Sequence, residues 1–438
     1  MNSVFRAYDI RGTYPDEINE DLAFKVGKAA ALYLNAKKLV VGMDARTSSN
    51  SLMHQVIAGI TSTGCNVVCI GDTTTPLFYF CVNSFVADGG IMVTASHNPA
   101  KYNGLKIVGR EGVPISRDSG LKEIESMLET PVAEGVAKGS VDFQKLIDDY
   151  INFLIELSGA KDEDFGRMRI VVDASNGMTS LELKNLFKKI NVNVIPMFFD
   201  IDGTFPNHSP DTSQADNLKL LQKKVIEVQA DLGVAFDGDG DRIAMVDNRG
   251  EIIWPDHILA LLYEYMGQPK TVYDLRISRT IKRLIGSNGI PSPVGYVNIK
   301  KRMREEGAVL GGELSGHFTF KEMHYAEAAV LVMLKIMGMM NWSRKPISGL
   351  VEPLREYAHS GEIRIEGPKN AQNIIQTLKE RYSDGDVSEL DGVTVDYPDW
   401  WFNLRPSNTE PILRLVIEAD TQELMLQKRD ELLGLIAN

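Results

Sequence analysis

Lys38-Leu39-Val40-Val41-Gly42-Met43-Asp44 decides the fold. It is a continuous apolar run rather than an alternating one, it ends in a carboxylate, and a helical stretch follows it before Asn66-Val67-Val68-Cys69-Ile70. A strand of this kind predicts burial on both faces. The plan recurs at Arg169-Ile170-Val171-Val172-Asp173, with a helix near 180–190 and then Val192-Asn193-Val194-Ile195. It recurs again at Thr271-Val272-Tyr273-Asp274, followed by a helix over 278–285. Three apolar strands, each closed by Asp, predict a triplicated α/β unit with helices on both faces of its sheets.

The last stretch follows another plan. Gly361-Glu362-Ile363-Arg364-Ile365 reads as a strand, 370–380 as a helix, and 392–396, 400–404 and 412–418 as strands, with a closing helix over 421–436. This is a compact α+β unit. The expected boundaries are 1–155, 156–255, 256–365 and 366–438, with no low-complexity linker between them. Such units are expected to pack around a shared cleft.

The 438 residues suit about three domains, or four if one is small. The formal net charge of −12 argues against a chain built to coat nucleic acid or an anionic membrane. Cys65, Cys69 and Cys81 cannot form a disulfide framework for a chain this long, so buried thiols in a reducing, cytoplasmic setting are expected. The N-terminus meets Arg6, Asp9 and Arg11 early and has no apolar segment of signal-peptide length. The longest apolar stretch, 328–340, is broken by Lys335 and is too short to span a bilayer.

Four loops carry chemistry. The first is Asp237-Gly238-Asp239-Gly240-Asp241-Arg242, set between strand-like 232–236 and 243–246. Three carboxylates in five residues repel one another unless a cation lies between them, and two glycines permit the tight turn that converges their oxygens. Oxygen-only donors favour Mg²⁺ before Ca²⁺. An EF-hand is excluded, since Arg242 and Asn248 stand where its glycine and glutamate belong. The second loop, Thr94-Ala95-Ser96-His97-Asn98-Pro99, lets an apolar strand deliver a hydroxyl beside a histidine, as a nucleophile or phosphate carrier. Alone it also reads as a turn or helix cap. The third, Arg405-Pro406-Ser407-Asn408-Thr409, combines a guanidinium fork with short polar donors and suits a phosphate dianion. The fourth, Gly312-Glu313-Leu314-Ser315-Gly316-His317, alternates Glu313 and Ser315, which in an extended loop would face the same way and suit adjacent sugar hydroxyls. Tyr8-Asp9-Ile10-Arg11-Gly12 is a weaker signal, also readable as a salt-bridged turn.

Together these loops resemble the α-D-phosphohexomutase family, in its phosphomannomutase/phosphoglucomutase branch, over essentially the whole chain and in the expected order. The resemblance implies three mixed α/β sandwich domains and a smaller α+β domain around a central cleft. It implies an isomerase-class enzyme that moves a phosphoryl group reversibly between C1 and C6 of a hexose phosphate, mannose or glucose, with a hexose 1,6-bisphosphate as intermediate and activator. Ser96 would carry the phosphate, and Asp237, Asp239 and Asp241 would hold Mg²⁺ with it. Glu313, Leu314, Ser315 and Gly316 would form the sugar loop. Arg405, Ser407, Asn408 and Thr409 would hold the phosphate that is not reacting. Tyr8, Arg276 and Tyr296 would contact substrate. His97, Lys106 and His317 would line the cleft, the last two as proton-transfer candidates, with Arg11 and Arg242 as electrostatic support. The expected partners are small hexose phosphates, with the chain a monomer or homodimer.

Leu314 and Asn408, where aminosugar members tend to carry Gln and Gly, favour mannose or glucose over glucosamine phosphate. Tyr296, Arg276 and a segment over 320–325 expected to run straight into a helix depart from many relatives, and bear on substrate preference. Two other readings remain open from the residues. One is a Mg-dependent phosphatase using Asp237 as nucleophile, against which Asp241 counts. The other is a catalytically silent sugar-phosphate binder.

Overall fold

The computed structural model describes residues 4–131, 137–367, 370–407 and 412–437. Its strands form four sheets. The first three share one four-strand plan, centred on the Asp-terminated strands identified above.

In the first sheet, Lys38–Met43 lies parallel to both Asn66–Asp72 and Gly89–Val93, and Tyr102–Gly109 then pairs antiparallel with Gly89–Val93. In the second, Phe165–Asp173 is flanked in parallel by Val192–Met197 and Leu232–Phe236, and Ile243–Asp247 returns antiparallel to the latter. In the third, Thr271–Asp274 is flanked by Gly289–Ser292 and Leu310–Gly312, with Phe318–Phe320 antiparallel. The Asp at the end of each leading strand accepts a backbone N–H two residues on, from Arg46, Ser175 and Arg276 respectively. Gly89–Val93 and Leu232–Phe236 are buried at every position, as strands covered on both faces must be.

This plan positions the chemistry. The Ser96 loop, the Asp237–Asp241 loop and the Glu313–His317 loop occupy the same topological place, the turn from the third strand of the unit to its antiparallel fourth. Three copies of one turn therefore bring three different loops to one cleft.

The fourth sheet is antiparallel, built from Asp386–Ser388, Val393–Asp396, Trp400–Pro406, Ile412–Ala419 and the short Ala358–His359, with Ile363–Glu366 also on Ile412–Ala419. Its core is Trp400, Phe402, Leu404, Leu413, Leu415 and Ile417 against Met425 and Leu432 of the closing helix.

The apolar run over 328–340 is the helix Ala329–Ser343, buried nearly all round at the centre of the molecule, as a helix without a polar face must be. Lys335, which interrupts it, donates to the Leu157 carbonyl at 3.2 Å and so satisfies the end of the helix Ile147–Ser158. Among the described residues no helix is long and apolar enough to cross a membrane. The segment after His317 differs from expectation. Phe320 ends a strand, Lys321–Met323 is one 3₁₀ turn, and the short strand Ala326–Glu327 precedes the helix. Antiparallel pairing of Phe320 with Ala326 holds that strand in the sheet. Cys65, Cys69 and Cys81 are buried and unpaired.

Glu182 is a buried group at the join of the first two units, where the Thr74 hydroxyl donates to it. Burial pushes its carboxyl up from 4.5 to about 8, against the Thr74 bond. The folded chain therefore holds this proton over a pH range in which the unfolded chain has lost it. Stability contributed by protonated Glu182 is fully present below pH 4.5 and is lost as pH rises toward about 8. Glu182→Gln is expected to flatten that decline by on the order of 1 kcal/mol per pH unit in urea unfolding. Parallel pH profiles for variant and parent would disprove the assignment.

Candidate active site

Ser96 follows the buried strand Gly89–Val93 and is itself only 2% exposed. Its φ is 51°. A residue with a side chain adopts this left-handed conformation only when its surroundings hold it there. Its Oγ donates to Asp237 Oδ2 at 3.0 Å and lies 3.3 Å from His97 Nδ1.

The surroundings that hold it were not apparent from the sequence. Arg46 lies beneath the loop with its guanidinium fully covered, and all five of its N–H groups are used. Nε donates to Asp44 Oδ2 at 3.0 Å, Nη1 to the Pro99 and Tyr102 carbonyls, and Nη2 to the Ser96 and Asn98 carbonyls at 2.8 and 2.6 Å. Asp44 also accepts from Thr94 Oγ1 at 2.7 Å, and Thr94 Oγ1 accepts from the Ser96 N–H at 2.8 Å. The Asp that closes the leading strand thus orients Ser96 from both sides. Arg46→Met leaves Asp44 buried without its counter-charge. It is expected to cost about 3–5 kcal/mol in chemical denaturation and to lower kcat more than it raises KM. A variant of parental stability would show the network to be dispensable.

Asp237, Asp239 and Asp241 are buried, and one oxygen of each lies within 4.8 Å of the others. Both glycines of the loop have identifiable jobs. Gly240 has φ of 76°. A Cβ on Gly238 would meet the Ser96 carbonyl oxygen at 2.7 Å. Only glycine therefore lets the two loops approach. Burial, then the charges of Asp241 and Asp239, push Asp237 well above the usual carboxylate range. Against the cost of burial, Lys106 and then His317 hold Asp241 well below it. Asp239 Oδ2 accepts from Thr75 Oγ1 at 2.6 Å and Lys106 Nζ at 2.7 Å, whereas Asp239 Oδ1 is buried without a hydrogen-bond partner. An all-oxygen donor set, mutual repulsion and an unpartnered buried oxygen fit a hard divalent cation, so the triad can bind a metal ion.

Lys106 Nζ also reaches Asp241 Oδ2, at 2.6 Å. It lies under the cleft rather than in its wall. Arg242 donates its backbone N–H to Asp237 Oδ1 at 3.0 Å. His317 Nε2 is 3.3 Å from both Arg242 Nε and Asp241 Oδ1, and its Nδ1 is 2.8 Å from Ser315 Oγ. His97 is held well below the usual imidazole range by burial and then by Arg242 and Arg11. Arg11 pairs with Asp9 and donates to Asn98 Oδ1 at 2.7 Å.

Glu313 and Ser315 do converge, but not by strand alternation. The Gly316 N–H donates to the Glu313 carbonyl and the Glu313 N–H to the His317 carbonyl, so the segment is a closed turn. Glu313, Leu314 and Ser315 line the cleft; Gly316 does not, its carbonyl accepting from the Ile243 N–H at the start of the strand that follows the metal loop. Tyr296 stacks on His317, with ring centroids 5.7 Å apart, and meets Tyr8 edge-on at 5.8 Å. Tyr8 donates to the Val294 carbonyl at 3.1 Å. Arg276 is clamped by Asp274 and also pairs with Glu362. Arg405 and Ser407 line the same cleft, of about 1700 Å³. Asn408 and Thr409 lie outside the described residues.

Comparison with known proteins gives the same picture. Family models for phosphoglucomutase/phosphomannomutase alpha/beta/alpha domains I, II and III match residues 2–133, 148–250 and 254–357, and the C-terminal domain of the family matches 362–435. A phosphomannomutase of Methanocaldococcus jannaschii is 37% identical, over 99% of this chain and 97% of its own. A phosphomannomutase/phosphoglucomutase of Pseudomonas aeruginosa is 34% identical, over 96% and 92%. The crystal structure of a phosphoglucomutase/phosphomannomutase family protein from Burkholderia thailandensis superposes with a TM-score of 0.88 at 29% identity, covering 99% of this chain and 97% of its own. The chain belongs to the phosphoglucomutase/phosphomannomutase family, and its activity is that of a hexose-phosphate mutase. Neither the phosphatase nor the silent-binder reading is favoured by these relatives.

Proposed function

We propose that the cleft interconverts the 1- and 6-phosphates of mannose and glucose through a phosphorylated Ser96. The observation that carries this is the 3.0 Å contact of Ser96 Oγ with Asp237 at the edge of the acidic triad. A hydroxyl in that place is held by the loop beneath it and faces the counter-charge that a transferring phosphoryl group needs.

A hexose monophosphate enters with its phosphate toward Arg405, Ser407, Asn408 and Thr409 and its ring hydroxyls toward Glu313 and Ser315. The free C1 or C6 hydroxyl oxygen attacks phosphorus. The sugar O–P bond forms as the Ser96 Oγ–P bond breaks, and the hydroxyl proton passes through a base to the departing Ser96 Oγ. His317 faces the cleft and Lys106 lies beneath it, which favours His317 for that proton. The resulting 1,6-bisphosphate turns end for end. Its other phosphate returns to Ser96 Oγ, and the proton goes back to the sugar oxygen released. Arg11, Arg242 and Lys106 supply fixed positive charge around the three equatorial oxygens. Asp237, Asp239 and Asp241 would hold Mg²⁺, which when bound supplies Lewis-acid neutralisation of the phosphoryl oxygens. The three unpaired thiols support a reducing, cytoplasmic setting.

The mannose and glucose pair differs only at C2, and no described side chain singles out that position. A coupled assay with mannose 1-phosphate and glucose 1-phosphate, a divalent cation and a trace of bisphosphate tests the proposal. Turnover of both is expected. Release of inorganic phosphate without isomerisation would refute it.

A further inference from the structure

We infer that Glu362 is a built-in counter-ion, occupying the arginine cluster of the phosphate site until a sugar phosphate displaces it. The inference rests on the reading above, in which Arg405 belongs to the phosphate site.

Glu362 stands immediately before the strand Ile363–Glu366, where the third unit passes into the fourth. One carboxylate oxygen pairs with Arg276 Nη1 and lies 3.8 Å from Arg405 Nη2; the other pairs with Arg414 Nη1. The three guanidinium groups come from both sides of that junction. Within the fourth sheet Arg405, Arg414 and Arg364 form a row, because Arg405 and Arg364 are both register partners of Arg414 on its two flanking strands; Arg276 reaches Glu362 from the third unit. Like charges side by side on a sheet repel unless an anion lies among them. All four arginines and Glu362 line the cleft. Glu362 keeps 24% of its side-chain exposure and Arg414 21%, while Arg276 and Arg405 keep 4% and 5%. The carboxylate therefore stays open to the cleft, where an entering anion can compete with it.

Arg276 and Arg405 have anchors besides it. Arg276 is held by Asp274 through Nε and Nη2. Arg405 Nη1 donates to the Pro406 carbonyl at 3.2 Å. Arg405 Nε is buried without a hydrogen-bond partner, a donor still available to an anion. Asp391, which accepts from the Val294 N–H at 3.0 Å, is the other acidic group acting on Arg405 from its own unit. A phosphate dianion carries more charge than a carboxylate and can engage a guanidinium in two places, so it displaces Glu362. When the phosphate leaves, Glu362 returns. An enzyme that must release and regrip its intermediate by opposite ends gains from such a competitor, since a bare arginine cluster would trap the bisphosphate.

Calorimetric titration of glucose 1-phosphate, and of inorganic phosphate, into Ser96→Ala protein tests this without turnover. Adding Glu362→Gln is expected to lower Kd about tenfold at low ionic strength, with a steeper salt dependence. Glu362→Ala, which removes the same charge with less bulk, should do likewise. Glu362→Asp should stay near the parent. Unchanged or weaker binding in both charge-removing variants would overturn the inference and make Glu362 a structural clamp instead. A parallel Arg405→Ala titration separates the two levels: if it leaves Kd unaltered, the phosphate-site reading itself falls, whatever Glu362 does.

Discussion

Ser96→Ala protein is expected to bind hexose phosphates with near-parental affinity and to have lost turnover by about four orders of magnitude or more, the scale seen when a covalent nucleophile is removed. The substitution deletes one oxygen. That oxygen touches Asp237 and His97, both in the reacting end of the cleft. The groups proposed to hold sugar and distal phosphate lie on other units, at Glu313, Ser315 and Arg405, and lose no contact. The fold is also spared, because the left-handed backbone at Ser96 is held through its N–H and carbonyl, by Thr94 and Arg46, rather than through its side chain. Unchanged calorimetric binding with no detectable isomerisation is the expected pair of results. Substantial retained activity would remove Ser96 from the mechanism.

Asp239→Asn is expected to lower kcat by on the order of 10³, comparable to losing a major electrostatic contact at a transferring group. Asp239 is the most committed of the three carboxylates. It is fully buried, and both its side chain and its backbone carbonyl are tied to Thr75. Its Oδ1 is buried without a hydrogen-bond partner and so is open to a cation. An amide there keeps the shape and removes the charge. Lys106 retains Asp241, so the loop remains anchored. Chelation should abolish parental turnover and added Mg²⁺ should restore it. In Asp239→Asn neither turnover nor the Mg²⁺-dependent rise in melting temperature should return. Parental activity in the presence of excess chelator would show that no divalent cation takes part.

The strands and loops that could be read directly share a physical property: each declares itself locally. An apolar run ending in Asp, at 38–44, 169–173 and 271–274, needs no knowledge of its partners. Nor does an Asp-Gly-Asp-Gly-Asp loop, whose self-repulsion is visible in the residues themselves. Arg46 and Glu362 were silent for the opposite reason. Arg46 acts on backbone carbonyls 50 and 52 residues away, and carbonyls leave no signature in a sequence. Glu362 looks like the first polar residue of a strand, and only the register of the fourth sheet reveals the arginines around it. The equivalence of the three active loops likewise depends on strand order. The Glu313–His317 segment reads as extended but folds as a closed turn, because alternation and a closed turn can bring the same two side chains together.

The most direct measurement is peptide mapping by mass spectrometry after incubation with glucose 1,6-bisphosphate and Mg²⁺. One phosphoryl group is expected on Ser96, disappearing when excess hexose monophosphate is added and turnover proceeds. Phosphate found instead on Asp237, or a Ser96 peptide that stays unmodified in actively isomerising enzyme, would contradict the proposed transfer.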